Sequence, residues 1–149
     1  MRQLAPQWQP EFMSEVCLFC IPRGVTRQNG LAYSTRDSYP VSSGHSLIIP
    51  FRHCGSFFDL TPEETAACME LLVAEQRALQ GELKPDGYNV GVNVGTAAGQ
   101  SIFHVHIHLI PRYRGDHPRP QGGVRQVIPD KADYPRREPR PGADQSAGM

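Results

Sequence analysis

Two stretches of the chain alternate apolar and polar residues, the pattern of a strand with one buried face. Residues 88–94 alternate a tyrosine and three valines with asparagine and glycine, and residues 103–109 alternate apolar residues with three histidines. The segment between them, residues 95–99, begins and ends with glycine and predicts a hairpin loop. Two shorter strands are predicted at residues 31–35, after the Asn29-Gly30 turn, and at residues 46–49, before Pro50.

The clearest helix begins at Thr61-Pro62-Glu63-Glu64. Thr61 suits the N-cap, Pro62 suits the first helical position, and Glu64 completes a capping box. A mostly apolar stripe at helical spacing then follows, formed by Met69, Leu72, Val73, Gln76, Leu79 and Leu83. Gly81 and the turn at residues 84–87 end the helix. Antiparallel strands with one long helix predict a two-layer α+β fold.

The two ends of the chain differ from the middle in amino-acid composition. Residues 1–16 are polar and contain proline, which predicts a loosely docked N-terminal arm. Residues 17–115 carry the strand and helix patterns and form the predicted domain. Residues 116–149 are rich in proline and arginine and cannot bury enough apolar surface to fold alone. Within them, the apolar residues of segment 122–129 predict an extended stretch that docks on the domain, so we expect the extension to be partly docked.

Composition narrows the function. The 149 residues suit one core, and 15 Lys+Arg against 15 Asp+Glu give no net charge, which argues against a nucleic-acid partner. The chain has no apolar run long enough to cross a membrane and no secretory signal at its start. We therefore expect a cytoplasmic protein whose four cysteines are reduced.

The histidines are the strongest chemical signal. His104, His106 and His108 are spaced by two, so on a strand their imidazoles project to the same face. Half of all the histidines fall within these five residues, and chance placement of ordinary surface histidines explains this clustering poorly. Two chemical alternatives remain. One is a three-histidine metal site, and the other is an imidazole nucleophile for phosphoryl chemistry.

Cys17-Leu18-Phe19-Cys20 is a second candidate motif. The spacing suits half of a metal site, a redox pair or two ordinary thiols. Cys68 falls inside the helical pattern and is predicted to lie in the core.

The pattern His-φ-His-φ-His-φ-φ, where φ is apolar, resembles the signature of the histidine triad (HIT) superfamily of nucleotide hydrolases and transferases. The resemblance covers residues 12–114. Asn93 lies thirteen positions before His106, and Gly99-Gln100-Ser101 stands just before the triad. His45 lies in a segment that looks like the family's strand with a phosphate-side histidine. Asp37, eight residues earlier, falls where the family places a ribose-binding aspartate.

The resemblance implies a role for each of these residues. His106 would attack the α-phosphate of a nucleotide and form a covalent nucleotidyl-histidine, with His108 and His45 flanking the phosphate. Asn93 would contact the scissile region, and Ser101 would lie near the leaving group. The predicted nucleotide-binding set is Asp37, Phe19, Asn93, Gly99, Gln100, Ser101, His106 and His108, with Phe19 in the wall of the base pocket beside Leu18 and Ile21.

Metal-containing relatives suggest a structural zinc held by Cys17, Cys20, His53 and His104, with Cys54 as a rival ligand. The family resemblance implies no organic cofactor. It also implies a half-barrel-like antiparallel sheet with one long helix, and a homodimer in which two sheets join edge to edge.

The expected activity is hydrolysis at the α-phosphate of dinucleoside polyphosphates, adenosine phosphoramidates or similar compounds. The alternatives are a nucleotide-binding regulator with little turnover, a nucleotidyltransferase or phosphorylase of the same superfamily, and a zinc hydrolase using His104, His106 and His108 directly. The Cys-x-x-Cys motif and the segment after Pro111 resemble a bacterial subgroup of mostly unassigned specificity, which leaves the leaving group open.

Overall fold

The computed structural model describes residues 17–134. One helix, α1 (Pro62–Leu83), accompanies five strands: β1 (Val25–Gln28), β2 (Ala32–Arg36), β3 (Ser46–Pro50), β4 (Gly87–Val92) and β5 (Ile107–Arg112). The strands form one open antiparallel sheet in the order β1-β2-β3-β5-β4. This architecture confirms the predicted α+β fold. Strands β1 and β4 are the two sheet edges, and edge-to-edge pairing with a second copy stays a prediction.

Helix α1 begins as its sequence predicts. The Thr61 hydroxyl accepts a hydrogen bond from the Glu64 amide, and the Glu64 carboxylate accepts one from the Thr61 amide, so the capping box is complete. The hydrogen bond from the Arg52 guanidinium to the same carboxylate, followed in importance by the Thr61 amide, lowers the pKa of Glu64 to about 2. The helix ends at Leu83, and Lys84 takes a left-handed conformation beyond it.

The predicted apolar stripe of α1 is buried only in part. Leu79 is buried as predicted and Leu72 packs on the core, whereas Met69 and Val73 are 36% and 47% exposed and Cys68 and Leu71 are buried instead. Glu75 is also buried, at 1% exposure. Its carboxylate is held by four partners from the first two strands: Arg36, the hydroxyl of Ser34 at 3.1 Å, the hydroxyl of Thr26 at 3.2 Å and Arg27 at 3.4 Å. The ion-paired carboxylate of Glu75 is therefore buried in the core, although the apolar pattern places other residues of the helix there.

The sheet has two differently used faces. On one face, Ala32, Ile48 and Ile107 pack against Cys68 and Leu71 of α1. On the other face, Tyr33, Leu47 and Ile49 form a second cluster, against which Phe19 packs. Strand β3 is buried throughout because it contributes to both clusters. The histidine side chains lie on the face away from the helix, since Leu47 is the register partner of His108.

Two local features place the histidines. Strand β5 begins at Ile107, so residues 103–106, predicted as strand, precede it in a bend and an irregular segment. Gly44, just before His45, has a φ of +85°, and a Cβ atom there would lie 2.8 Å from Leu83 and 2.9 Å from Leu79. Only glycine combines this conformation with such close packing of the turn against α1.

The described residues fall into two compact units, one ending at Asp116 and the other beginning at His117. In the second unit, residues 123–127 and 129–131 form short 3-10 helices. The expectation of an extended stretch at residues 122–129 was therefore wrong. The positive φ angles of Gly122 and Gly123 and the hydrogen bonds within this segment give it a turned path. The predicted N-terminal arm, residues 1–16, and residues 135–149 lie outside the described part. No helix within residues 17–134 is long and apolar enough to span a membrane.

Candidate active site

His106 presents one ring nitrogen as a free base. Its Nδ1 lies 2.8 Å from the backbone oxygen of His104. Because a carbonyl oxygen can only accept, Nδ1 carries the proton and Nε2 keeps its lone pair. The side chain is 7% exposed, and its ring lies 5.1 Å from the ring of Phe19 and 5.2 Å from that of His108. The backbone thus fixes both the orientation and the tautomer of this imidazole.

His45, His108 and Asp37 form a hydrogen-bonded group beside it. The Val41 amide donates to Nδ1 of His45 at 3.2 Å, so the proton of neutral His45 resides on Nε2. This Nε2 lies 3.0 Å from Nδ1 of His108 and 3.4 Å from Oδ2 of Asp37. His108 consequently accepts at Nδ1 and carries its own proton on Nε2. A single backbone amide sets the tautomers of two histidines.

Both of these histidines favour the neutral form. Burial lowers the pKa of His45, an effect that the Asp37 charge only partly offsets. Burial, followed by the neighbouring His106 and His45, lowers the pKa of His108 to about 4. Near neutral pH the pair is therefore uncharged and can donate and accept protons along a defined direction.

A cavity of about 370 Å³ borders this group. Its lining residues are Leu18, Phe19, Ile21, Arg23, Tyr33, Thr35, Arg36, Asp37, Ser38, Tyr39, Leu47 and Ile102. The lining combines apolar side chains, such as Phe19 and Leu47, with polar side chains, such as Thr35 and Asp37. Phe19 and Asp37, both predicted to bind the nucleotide, belong to the cavity and also contact His106 and His108 respectively. The volume and mixed lining are typical of a small-molecule site.

The loop before the triad holds its shape through Gln100. The buried side-chain amide of Gln100 accepts from the Gly95 amide at 2.8 Å and donates to the Gly55 carbonyl at 2.7 Å. The backbone amides of Gly99 and Gln100 also bond within the loop, to Thr96 and Gly95. In the described part of the chain, the Ser101 amide and the side chains of Ser101 and Asn93 have no hydrogen-bond partner. These groups are available to a ligand.

A separate cluster gathers the predicted metal ligands. One donor atom from each of Cys17, Cys20, His53 and His104 lies within 4.8 Å of the others. Nδ1 of His104 is 3.4 Å from Sγ of Cys17 and 3.6 Å from Sγ of Cys20, and Nδ1 of His53 is 3.2 Å from Sγ of Cys20. The rival Cys54 is not in this group; its thiol donates to the Ser56 carbonyl at 3.2 Å.

The chemistry of this cluster fits a zinc ion. Nε2 of His104 donates to the Pro50 carbonyl at 2.8 Å, so the lone pair of Nδ1 faces the two sulfurs. A backbone carbonyl behind a ligating imidazole is the usual arrangement around bound zinc. Burial and the adjacent Cys17 raise the pKa of the Cys20 thiol to about 11, so this site favours thiolates only with a cation among them.

The same tests weigh against two other metal sites. Asp37, His45 and His108 also bring donor atoms within 4.8 Å, but the Val41 amide occupies Nδ1 of His45 and leaves a proton on Nε2. The triad itself is divided, since His104 faces the cysteines whereas His108 faces His45. This division removes the geometric basis for a zinc hydrolase that uses all three triad histidines as ligands.

Sequence reasoning missed the supports of the site. The Tyr33 hydroxyl donates to the Phe19 carbonyl at 2.8 Å, and burial, followed by the nearby cysteines, raises the pKa of Tyr33 to about 12. The Val41 amide and the Pro50 carbonyl set histidine tautomers, although backbone groups carry no mark in a sequence. The one available signal was alternation, which puts Tyr33 and Leu47 on the face opposite the helix.

Comparisons with known proteins agree with this geometry. A family model described as HIT domain matches residues 20–115. An AP-4-A phosphorylase from Mycobacterium tuberculosis is 37% identical over 93 residues, which cover 62% of this chain. The matched stretch spans 48% of that relative, about half its length.

Solved structures extend the similarity to three dimensions. A HIT family protein from Bacillus anthracis matches with a TM-score of 0.65 at 33% identity, covering 68% of this chain and 77% of that one. A zinc-bound histidine triad family protein from Mycobacterium smegmatis matches with a TM-score of 0.65 at 32% identity, covering 71% and 81%. Because the family model spans well over half of the chain and the triad, cavity and fold accord with it, the protein belongs to the HIT domain family.

Proposed function

We propose that this protein is a nucleotide hydrolase in which His106 attacks the α-phosphorus of a nucleoside 5′-phosphoryl compound. Dinucleoside polyphosphates and adenosine phosphoramidates are the candidate substrates. The observation that carries the proposal is the free Nε2 of His106, fixed by the His104 carbonyl beside a cavity of about 370 Å³. A nucleophile with its lone pair set in advance needs no proton removed before it attacks.

The reaction proceeds by two successive displacements at phosphorus. Nε2 of His106 donates its electron pair to the α-phosphorus, the bond from phosphorus to the leaving group breaks, and the leaving group departs with that pair. A nucleotidyl-imidazole cation remains, whose Nδ1 proton stays bonded to the His104 carbonyl. Water then attacks the phosphorus and releases its proton to solvent, the P–N bond breaks, and its electrons return to Nε2 of His106. Neutral His108 keeps the proton on its Nε2 and is the candidate hydrogen-bond donor to the phosphoryl oxygens, so a leaving group that needs a proton takes it from water.

The cavity walls suit a nucleoside. Phe19, Leu18 and Ile21 offer an apolar surface for a base. We assign Asp37 to the ribose diol: its Oδ1 accepts from the Tyr39 amide at 2.8 Å, and each carboxylate oxygen has more than one acceptor direction. Asn93 and Ser101 are assigned to the scissile region and the leaving group. Gly99 and Gln100 would act on the nucleotide through the shape of their loop.

We further propose that Cys17, Cys20, His53 and His104 hold a structural zinc. Two thiolates and two imidazoles complete a tetrahedral set and leave no position for water, so the metal would support the fold without activating a nucleophile. The likeness to a zinc-bound relative supports this assignment.

Trapping the intermediate tests the function directly. Wild-type protein is mixed with diadenosine tetraphosphate or an adenosine phosphoramidate, quenched, and examined by intact-protein mass spectrometry. We expect an adenylyl adduct on wild-type protein and turnover to AMP. His106→Ala should bind AMP but show neither adduct nor turnover. The matched control is His117→Ala, which removes a histidine of the second unit and should leave both unchanged. Turnover by His106→Ala at the wild-type rate would refute the nucleophile.

Adding inorganic phosphate distinguishes hydrolysis from phosphorolysis, the alternative that similarity to an AP-4-A phosphorylase raises. Water resolves the adenylyl-histidine to AMP, whereas phosphate resolves it to ADP. We expect AMP from both substrates. ADP as the main product in phosphate buffer would replace water with phosphate as the acceptor, and binding of AMP without any turnover by wild-type protein would favour a regulatory role.

A further inference from the structure

The segment Cys17-Leu18-Phe19-Cys20 belongs to two sites at once. Its first and last residues place their sulfurs in the metal-ligand cluster. Its two middle residues, Leu18 and Phe19, line the nucleotide cavity. The two sites are therefore joined directly along the chain, because only these two cavity-lining residues separate the thiols.

Apart from the packing of Phe19 on the cluster of Tyr33, Leu47 and Ile49, hydrogen bonds hold the segment in place. It forms a turn rather than a helix or strand, with the Cys20 amide donating to the Cys17 carbonyl at 3.3 Å. The Tyr33 hydroxyl bonds the Phe19 carbonyl, and the thiols contact His53 and His104. Thiol contacts of this kind are weak hydrogen bonds, whereas metal–thiolate bonds are strong enough to fold small domains.

Phe19 is the point of contact between the two sites. Its ring lies 6.1 Å from the ring of the metal-ligand candidate His104, edge to face, and 5.1 Å from the ring of the nucleophile candidate His106. The carbonyl of His104 also accepts the His106 Nδ1 proton. Each site therefore contains a residue that touches the other.

We propose that zinc binding at the cysteine–histidine cluster and nucleotide binding in the cavity strengthen each other through Phe19. The inference rests on the nucleotide and zinc sites proposed above. A bound ion fixes the cysteines and so keeps Phe19 against His106, where it forms the base wall. A bound nucleotide, packed on Phe19, in turn opposes release of the ion. Thermodynamic linkage requires the two effects on affinity to be equal.

The test measures both directions on the full-length chain. In one arm, AMP affinity is measured by calorimetry for zinc-loaded and chelator-treated protein, with circular dichroism to establish that the latter is folded. We expect affinity to fall about tenfold without zinc, within the range usual for coupled sites. In the other arm, zinc transfer from loaded protein to a colorimetric chelator is timed with and without saturating AMP. AMP should slow transfer about tenfold, and this arm needs no stable metal-free protein.

Two variants locate the coupling. Phe19→Ala should still bind zinc. When the AMP concentration is raised until this variant is saturated, AMP should change the rate of zinc transfer less than twofold. Phe58→Ala is the matched control, since it makes the same substitution at an 80% exposed phenylalanine that belongs neither to the cavity lining nor to the metal-ligand cluster. It should keep the full effect of AMP.

The outcomes separate the proposals. Zinc transfer from wild-type protein that is indifferent to saturating AMP overturns the coupling while leaving the nucleotide site intact. Full coupling in Phe19→Ala overturns the role of Phe19. Zinc-loaded protein that binds no AMP refutes the nucleotide site itself, and a chain that takes up no zinc refutes the metal site; either result also ends this inference.

Discussion

His104 and His106 engage the backbone through opposite ring nitrogens. His104 donates from Nε2 to the Pro50 carbonyl, whereas His106 donates from Nδ1 to the carbonyl of His104 itself. The lone pairs that remain, on Nδ1 of His104 and Nε2 of His106, lie in different surroundings. One faces two sulfurs, and the other belongs to a ring packed on Phe19, which lines the cavity. Two residues of one motif are thus prepared for different chemistry by their backbone partners.

Loss of the ribose hydroxyls should weaken binding. If Asp37 accepts the diol, replacing AMP by its 2′,3′-dideoxy analogue removes charge-assisted hydrogen bonds worth roughly 1.5–3 kcal/mol, or about 10- to 150-fold in affinity. Calorimetry with both ligands measures the ratio. In Asp37→Asn the ratio should shrink toward unity, which separates recognition of the diol from any general effect on the cavity. Equal affinity of the wild-type protein for both ligands would contradict the assignment.

The stability of the domain should fall in mild acid because of His108. Its pKa of about 4 in the folded protein lies below the ordinary value of 6.5 that it regains on unfolding. Between these values the unfolded chain binds a proton that the folded chain does not, so this contribution is complete above about pH 6.5. It is lost as the pH falls toward 4, by on the order of 3 kcal/mol.

Urea unfolding of wild-type protein and His108→Gln at about pH 7 and about pH 4.5 measures this contribution. Titrating groups that do not interact with His108 are common to both proteins and cancel in the difference. Wild-type protein should lose more stability than the variant on acidification. An equal loss in the two proteins would mean that His108 titrates normally in the fold.

Removing the cysteine ligands should remove the metal. Protein purified without chelators is expected to contain about one zinc per chain, and Cys17→Ser/Cys20→Ser should contain none. The double variant should melt at least about 10 °C lower, since each kcal/mol lost shifts Tm by roughly 4 °C in a domain of this size. Elemental analysis and thermal melts give both quantities. Cys54→Ser tests the rival ligand and should retain the metal; a metal-free, fully stable parent would exclude the site.

Replacing Gln100 should lower the free energy of unfolding, because its side chain supports the loop and has no assigned role in the reaction. Gln100→Leu removes a buried side-chain amide that bonds the Gly95 amide and the Gly55 carbonyl, leaving both without their partner. The cost of unsatisfied buried groups predicts a loss of about 1–3 kcal/mol in the free energy of unfolding. Denaturant titration measures it. Ser101→Ala, one residue along and exposed, is the control and should change stability by less than about 0.5 kcal/mol.

The parts of the fold that were predicted correctly from the sequence are those determined by interactions between residues close together in the chain. Thr61, Pro62 and Glu64 specify the helix start because the capping box is made within one turn. The buried side of the helix was predicted only in part for the opposite reason. Glu75 occupies a core position only because Arg36 and Arg27 come from strands some forty residues earlier to pair with it, and no helical pattern contains that information.

The candidate site divides in the same way. The family motif located the histidines, the cysteines and Asp37 in sequence. Their protonation states depend on backbone groups such as the Val41 amide and the Pro50 carbonyl, which every sequence supplies and whose positions only the folded chain defines. The early start predicted for β5 had a related cause: alternation extends through residues 103–106, but the hydrogen-bonded ladder with β3 and β4 begins at Ile107.

The pairing of β3 with β5 also has a kinetic consequence. It joins Leu47 to His108 across a connection that contains all of α1 and β4, and it brings His45 against His108. Contacts so distant along the chain form late in folding, because a long loop must close before they contribute any stability. A chain emerging from the ribosome would therefore complete its helix and its β1–β2 hairpin while still inert. The activity proposed here would arise in one late event, when His108 joins the sheet.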